Sequence, residues 1–312
     1  MKNTTESLKK SNVFAALAGK TNTGKSTLMN LLVGDKVAIV SEKPQTTRTR
    51  IHGIITRDET QFVLIDTPGF HNAKNKLSEH MLKSARSGAA GADVILMTAD
   101  CTKKISQAEL MLIESLKPLG TDVILLLNKI DLMKDKTKLL ALIEEYTKLH
   151  DFAEIIPISA KNAINTEKIL PAMQKYAVET ESGEHYFPGD ITTDQAEKAW
   201  LAEIIREKVL LSMFEEIPHG VAAEIETLEE TKTNSGKPLI EISVVIICEK
   251  ASHKGMIIGK QGANLKKVGS AARLEMEEYF KSKVNMKLWV KVKENWRNKE
   301  GFIADLGLNS DA

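Results

Sequence analysis

The chain has 312 residues, 42% of them apolar and 27% charged, with a formal net charge of +1 and two cysteines. Two domains are the natural expectation at this length, since about 100 to 200 residues per domain is typical. Cys101 and Cys248 lie too far apart to indicate a disulfide framework or a metal cluster, and no apolar run approaches the roughly 20 residues that span a bilayer.

The polar segment Met1 to Asn12 and the short run Val13 to Ala18 do not make a secretory leader, so a soluble protein of the reducing cytosol is expected. The small net charge hides an asymmetry. Lys250 to Glu300 holds 13 Lys and Arg against 5 Asp and Glu, leaving the remainder at −7. One end of the chain is therefore expected to meet a polyanion.

Val13 to Ala18 reads as a buried parallel strand. It runs into Gly19-Lys20-Thr21-Asn22-Thr23-Gly24-Lys25-Ser26, a G-x-x-x-x-G-K-[ST] loop, followed by the amphipathic Thr27 to Leu32. Glycines in such a loop let backbone N–H groups converge on phosphate oxygens, and the helix start adds partial positive charge. Lys25 is expected at the β/γ-phosphates and Ser26 on Mg²⁺. Further strands are expected from Thr49 and Gln61. The second ends in Asp66-Thr67-Pro68-Gly69, where Asp66 is placed to hold a water on Mg²⁺ and the Gly69 N–H to sense a γ-phosphate. Loss of that phosphate would release this loop together with Thr46-Thr47.

Helical patterns over Lys76 to Gly88, Ser106 to Leu116 and Lys134 to Leu149 alternate with strands from Asp93, Asp122 and Ile155. Ser106 and Glu109 have the spacing of a capping box. Asp122 to Leu127 delivers Asn128, Lys129 and Asp131 to the carboxyl end of a strand, where open α/β sheets bind ligands. An Asp carboxylate there accepts two hydrogen bonds from guanine N1 and N2, which adenine does not offer. Ile155 to Ile158 then ends in Ser159-Ala160-Lys161, whose backbone N–H groups are expected to face the guanine carbonyl. Together these segments predict a doubly wound α/β sheet over residues 1–180 that binds and cleaves GTP.

Gly183, Pro188 and Gly189 end the alternation, and a linker is placed at 181–195. Residues 196–312 are expected to form a smaller α+β domain: a helix from Asp194 to Phe214, strands Val221 to Glu230 and Leu239 to Glu249, two helices, and a strand Val284 to Lys293. Between the two helices lies Ile257-Ile258-Gly259-Lys260-Gln261-Gly262, leading into Ala263-Asn264-Leu265-Lys266-Lys267. A bare G-x-x-G is a weak signal. With this element order and local basic charge it resembles a type II K homology (KH) domain, whose loop lets nucleic-acid backbone approach the glycines. Ile258, Gly259, Lys260, Gln261, Gly262 and Lys266 are the expected RNA contacts. Lys281, Lys283, Lys287, Lys291 and Lys293 have the alternation of an edge strand's solvent face. Trp289 and Trp296 are candidates for base stacking, but Leu288-Trp289-Val290 reads as core. His52, His71 and His253 show no ligand spacing.

From about Val13 to its C-terminus the chain resembles the Era family of GTPases of bacterial ribosome assembly. The resemblance implies that Thr47, just before Arg48, is the switch threonine on Mg²⁺, a choice over Thr46 that spacing does not make. It also implies GTP or GDP as ligand, and the 3′ end of small-subunit ribosomal RNA within the pre-ribosomal small subunit as partner. A monomer is implied, in the cytoplasm or weakly peripheral at the inner face of the membrane. Phe70 stands where Ras-like GTPases carry a water-orienting glutamine, so other groups must position the water. Asn22 matches an asparagine that holds K⁺ beside the phosphates in related families; a turn asparagine accounts for it equally. Lys20-Thr21-Asn22-Thr23 departs from the usual Arg-Pro-Asn-Val. Slow catalysis through Lys25, Thr47, Asn22 and Gly69 is the leading expectation, and an RNA-binding assembly protein with a structural nucleotide and incidental hydrolysis is the alternative.

Overall fold

The computed structural model describes residues 9–41, 43, 46–68, 75–213 and 220–309. The first half is a parallel sheet in the order β2-β3-β1-β4-β5-β6. Its strands are β1 (Ser11–Gly19), β2 (Ile51–Arg57), β3 (Thr60–Asp66), β4 (Val94–Asp100), β5 (Val123–Asn128) and β6 (Glu154–Pro157). Only β2 runs antiparallel to its neighbour, β3, in this path. The unbroken apolar runs follow from burial on both faces. In β1, Val13, Ala15 and Leu17 pack to one side and Ala16 and Ala18 to the other. Helices α1 (Lys25–Val33), α2 (Lys76–Ala90), α3 (Gln107–Leu116), α4 (Lys136–Thr147) and α5 (Ile169–Gln174) belong to this half. Ser106 and Glu109 form the expected capping box on α3. Asp135 starts α4 two residues later than expected, because its side chain caps the Thr137 N–H at 2.9 Å.

A short strand that the sequence pattern did not signal, β7 (Val178–Glu179), pairs antiparallel with the start of β1. The segment that follows lies along the edge of the sheet. Gln61 and Phe187 exchange hydrogen bonds at 2.9 Å, the Ile54 N–H donates to the Thr192 carbonyl at 2.8 Å, and His52 Nδ1 meets Asp194 at 2.7 Å.

The second half runs α6 (Glu197–Ser212), β8 (Ala222–Lys232), β9 (Pro238–Cys248), α7 (Ala251–Ile258), α8 (Ala263–Phe280), β10 (Lys283–Val292) and α9 (Glu300–Asp305). Its sheet order is β10-β9-β8, with β10 parallel and β8 antiparallel to β9. Apolar residues of α6, α7 and α8 cover one sheet face, joined by Ile39 from the first half. On the other face Leu77 and Met81 of α2 pack with Ala222, Val245, Ile247, Trp296 and Ile303. No helix among the described residues is long and apolar enough to cross a membrane.

Candidate functional site

The loop after β1 closes over the start of α1. Gly24 caps that helix at φ 97°, a backbone conformation that favours glycine, and a Cβ there would lie 2.3 Å from Asn128 Nδ2. Lys25 is buried, its Nζ folded onto the carbonyls of Gly19 (3.1 Å) and Lys20 (3.0 Å). Thr23 Oγ1 bonds the Lys20 carbonyl and Thr98 Oγ1, so its hydroxyl braces the loop. Asn22, Gly24, Ser26 and Thr27 line the adjoining cleft with Thr46 and Thr47.

The three residues expected around a metal converge. Ser26 Oγ and Thr47 Oγ1 donate to Asp66 Oδ2 at 2.7 and 3.1 Å, and the two hydroxyls are 3.1 Å apart. Asp66 Oδ1 is buried with no hydrogen-bond partner among the described residues. Burial pushes the Asp66 carboxyl up, opposed by Lys25 and the two hydroxyls; burial likewise pushes Lys25 down, opposed by Asp66. Two hydroxyls and an unsatisfied carboxylate oxygen beside a lysine fit a hydrated Mg²⁺ with an anionic ligand. Thr46 points elsewhere, donating to the Lys43 carbonyl at 2.7 Å. Thr47, and not Thr46, thus lies beside Ser26 and Asp66. Gly69 lies outside the described residues, as do Phe70 and His71.

The segment expected to read the base bonds first to the protein itself. Asn128 is 2% exposed; its Nδ2 donates to the Thr23 carbonyl at 2.7 Å, and its Oδ1 accepts from the N–H groups of Lys129 (2.8 Å) and Ala160 (2.9 Å). One side chain joins three loops. The Ala160 N–H is therefore not turned outward to a base, contrary to expectation, because Asn128 Oδ1 takes it. Ser159 is buried and accepts from the Asn162 N–H at 3.2 Å, while Lys161 is exposed. Lys129, at φ 72°, bonds the Asn22 carbonyl at 2.8 Å and Asp100 at 2.7 Å. Asp100 was not anticipated; burial alone would raise its carboxyl, but Lys129 and Thr102 outweigh that and hold it low. Asn22 stands at φ 64°, so the turn itself suits an asparagine. Asp131, in the turn Ile130–Leu132, is half-buried.

In the second half, Gly259 and Gly262 stand at φ 73° and 78° on either side of exposed Lys260 and Gln261. A Cβ on Gly259 would lie 2.8 Å from Asn264, whose Nδ2 donates to the Met256 carbonyl at 2.9 Å and braces the loop. A groove between α8 and β10 follows, lined by Leu265, Lys266, Gly269, Arg273, Met286 and Leu288. Ile258 is half-buried against the core and not on this groove's lining. Trp289 is 45% exposed rather than core, since alternation on the edge strand β10 sends it to the face opposite Met286 and Leu288. Lys283, Lys287 and Lys291 share that exposed face, as the alternation predicts. Trp296 is fully buried, its Nε1 on the Gly220 carbonyl at 2.9 Å, so it does not stack on bases.

The profile of the family "50S ribosome-binding GTPase" matches residues 14–129, and that of "KH domain" matches residues 216–297. The chain is 46% identical to GTPase Era of Clostridioides difficile over 296 residues, covering 95% of this chain and 98% of the relative. It is also 46% identical to GTPase Era of Ruminiclostridium cellulolyticum, over 96% of this chain and 97% of the relative. Among solved structures, Era in complex with MgGDPNP and nucleotides 1506–1542 of 16S ribosomal RNA superposes with a TM-score of 0.91 at 35% identity, over 96% of this chain and 99% of that one. An Aquifex aeolicus Era variant bound to GDP.AlF4- gives a TM-score of 0.90 at 35% identity, with the same coverage.

Proposed function

The chain belongs to the Era family of GTPases, and on that footing we propose that it is a GTP-hydrolysing switch whose C-terminal half takes the 3′ end of small-subunit ribosomal RNA. The observation that carries the first part is the convergence of Ser26 and Thr47 on Asp66, beside buried Lys25. Mg²⁺, when bound, neutralises charge on the β- and γ-phosphate oxygens. Lys25, now on two loop carbonyls, would turn to phosphate oxygens, Ser26 and Thr47 would hold the metal through their hydroxyl oxygens, and Asp66 Oδ1, now without a partner among the described residues, would accept from a water beside it. Asp131 selects guanine, and Asn128 and Lys129 hold the loops around it. Catalysis by these groups is positioning and charge stabilisation in place of covalent chemistry.

Both segments that would feel the terminal phosphate are fastened to the C-terminal half. The segment between α1 and β2 buries Ile39 in that half's core, and its Arg48 donates to the Val221 carbonyl at 2.7 Å and stacks 5.7 Å from Trp296. Helix α2, which follows Asp66-Thr67-Pro68-Gly69, packs Leu77 and Met81 on the sheet of β8 and β9. A change at the phosphate therefore moves elements that the groove between α8 and β10 rests on. That groove suits single-stranded RNA, with an apolar floor, Lys266 and Arg273 on its walls and the two-glycine loop at its end.

The test is GTP turnover by the full chain with Mg²⁺, set against Thr47→Ala. Turnover should fall roughly a hundredfold in the variant while GDP affinity changes less than about threefold. Absence of turnover by the parent chain under every condition, in K⁺ or Na⁺ and with or without RNA, would favour a structural nucleotide instead.

A further inference from the structure

The segment that carries Thr47, proposed above as a metal ligand, is held from the second half of the chain. Arg206 of α6, 1% exposed, reaches across to the first half and donates from Nη2 to the Thr46 carbonyl oxygen. That carbonyl belongs to the peptide plane that enters Thr47; because the peptide is planar, fixing its oxygen fixes the direction from which Thr47 is presented. The hydroxyl of Thr46 is fixed as well, on the Lys43 carbonyl. The guanidinium is itself oriented by Glu203, one turn earlier on α6, which accepts from Nε at 2.7 Å. The next residue on α6, Glu207, accepts from the Val40 N–H at 2.9 Å and pairs with Lys36 at 2.6 Å. Helix α6 thus grips the segment at three points, Thr46, Val40 and Lys36.

Packing alone does not explain this arginine. Its Nη1 is buried without a partner among the described residues, a cost an aliphatic side chain in this apolar cluster would avoid. It also lies near a second buried guanidinium, Arg48, on which it acts as a like charge. Two buried guanidinium groups thus serve this segment, Arg206 on the Thr46 carbonyl and Arg48 on the Val221 carbonyl, with Glu203 and Glu249 offsetting their charge.

We propose that Arg206 is a positioning residue for GTP hydrolysis, supplied by the C-terminal half, which presents Thr47 to the metal. The proposal rests on the assignment of Thr47 to Mg²⁺.

The test uses the full chain with Arg206→Met, which keeps the apolar stem and lacks the fork, and Arg206→Lys, which keeps the charge. Turnover at saturating GTP should fall about ten- to hundredfold in both, the worth of one charge-assisted hydrogen bond in the transition state. GDP affinity and KM for GTP should stay within about threefold, because the cradle and base loop do not pass through Thr46. Without nucleotide, hydrogen exchange at the amides of residues 46–50 should quicken in both variants while β4 and β5 are unchanged. Turnover within about twofold of the parent chain, unaltered exchange at residues 46–50, or a loss of GDP affinity as large as the loss of turnover would each overturn it. If the Met variant does not fold, the Lys variant decides by the same readouts. A parent chain that does not hydrolyse GTP would instead defeat the reaction reading, and the exchange measurement would still judge whether Arg206 holds this segment.

Discussion

Replacing Asn128 by alanine removes three hydrogen bonds at once and leaves three backbone groups in a buried site, the Thr23 carbonyl and the N–H groups of Lys129 and Ala160, without that partner. At about 1 kcal/mol net per bond the loss is roughly 3 kcal/mol, and more if water does not enter. Spread over a half-chain of this size, that corresponds to a fall in Tm of about 6–12 °C. The informative measurement is the thermal transition of nucleotide-free protein, because there the side chain has no ligand to touch. GDP affinity should fall at least about tenfold in parallel, since the cradle, the Lys129 loop and the Ala160 loop lose their common anchor. A Tm change under about 2 °C would refute the reasoning and make Asn128 a ligand contact only.

Asp131→Asn should exchange guanosine for xanthosine preference, measured by competition with labelled GDP; unchanged selectivity would remove Asp131 from base reading. Glu207 links the halves, and although burial alone would raise its carboxyl, Lys208, Lys36 and the Val40 N–H outweigh that and hold it below its ordinary 4.5. Because the folded pKa is the lower one, the stability it contributes is present above pH 4.5 and is lost as pH falls through the folded value. Glu207→Gln should therefore flatten the decline in denaturation midpoint between neutral and acid pH, and an identical decline in both proteins would contradict this. Lys266→Ala should weaken binding of a single-stranded RNA and reduce the slope of log affinity against log salt by about 0.7; an unaltered slope would take Lys266 off the phosphate path.

What was legible in the sequence was local. The loop before α1, the strand ending at Asp66, the capping box on α3 and the two-glycine loop are each written in consecutive residues, and their physics needs few distant partners. The role of Asn128 was not, because it depends on Thr23 and Ala160, 105 and 32 residues away. Nor was the different orientation of Thr46 and Thr47, whose hydroxyls go to the Lys43 carbonyl and the Asp66 carboxylate. Trp289 looked like core from its apolar neighbours. What decides its exposure is that the face of β10 pointing away from α8 is uncovered, while α2 and α9 cover the corresponding face of β8 and β9. Trp296, in a polar stretch, is buried because α2 comes from the other half to pack there. The contacts of Arg206 and Arg48 were likewise invisible, since each joins residues more than 150 positions apart.

The claim on which the rest turns is that the phosphate-sensing segments and the RNA groove are one mechanical unit. Affinity of the full chain for a 3′-end oligonucleotide of small-subunit ribosomal RNA, measured with MgGDPNP and again with MgGDP, tests it directly. Coupling of about 1–3 kcal/mol predicts a difference of roughly five- to 150-fold between the two nucleotides, with the same factor on nucleotide affinity when RNA is added first. Equal affinity in both states would contradict it.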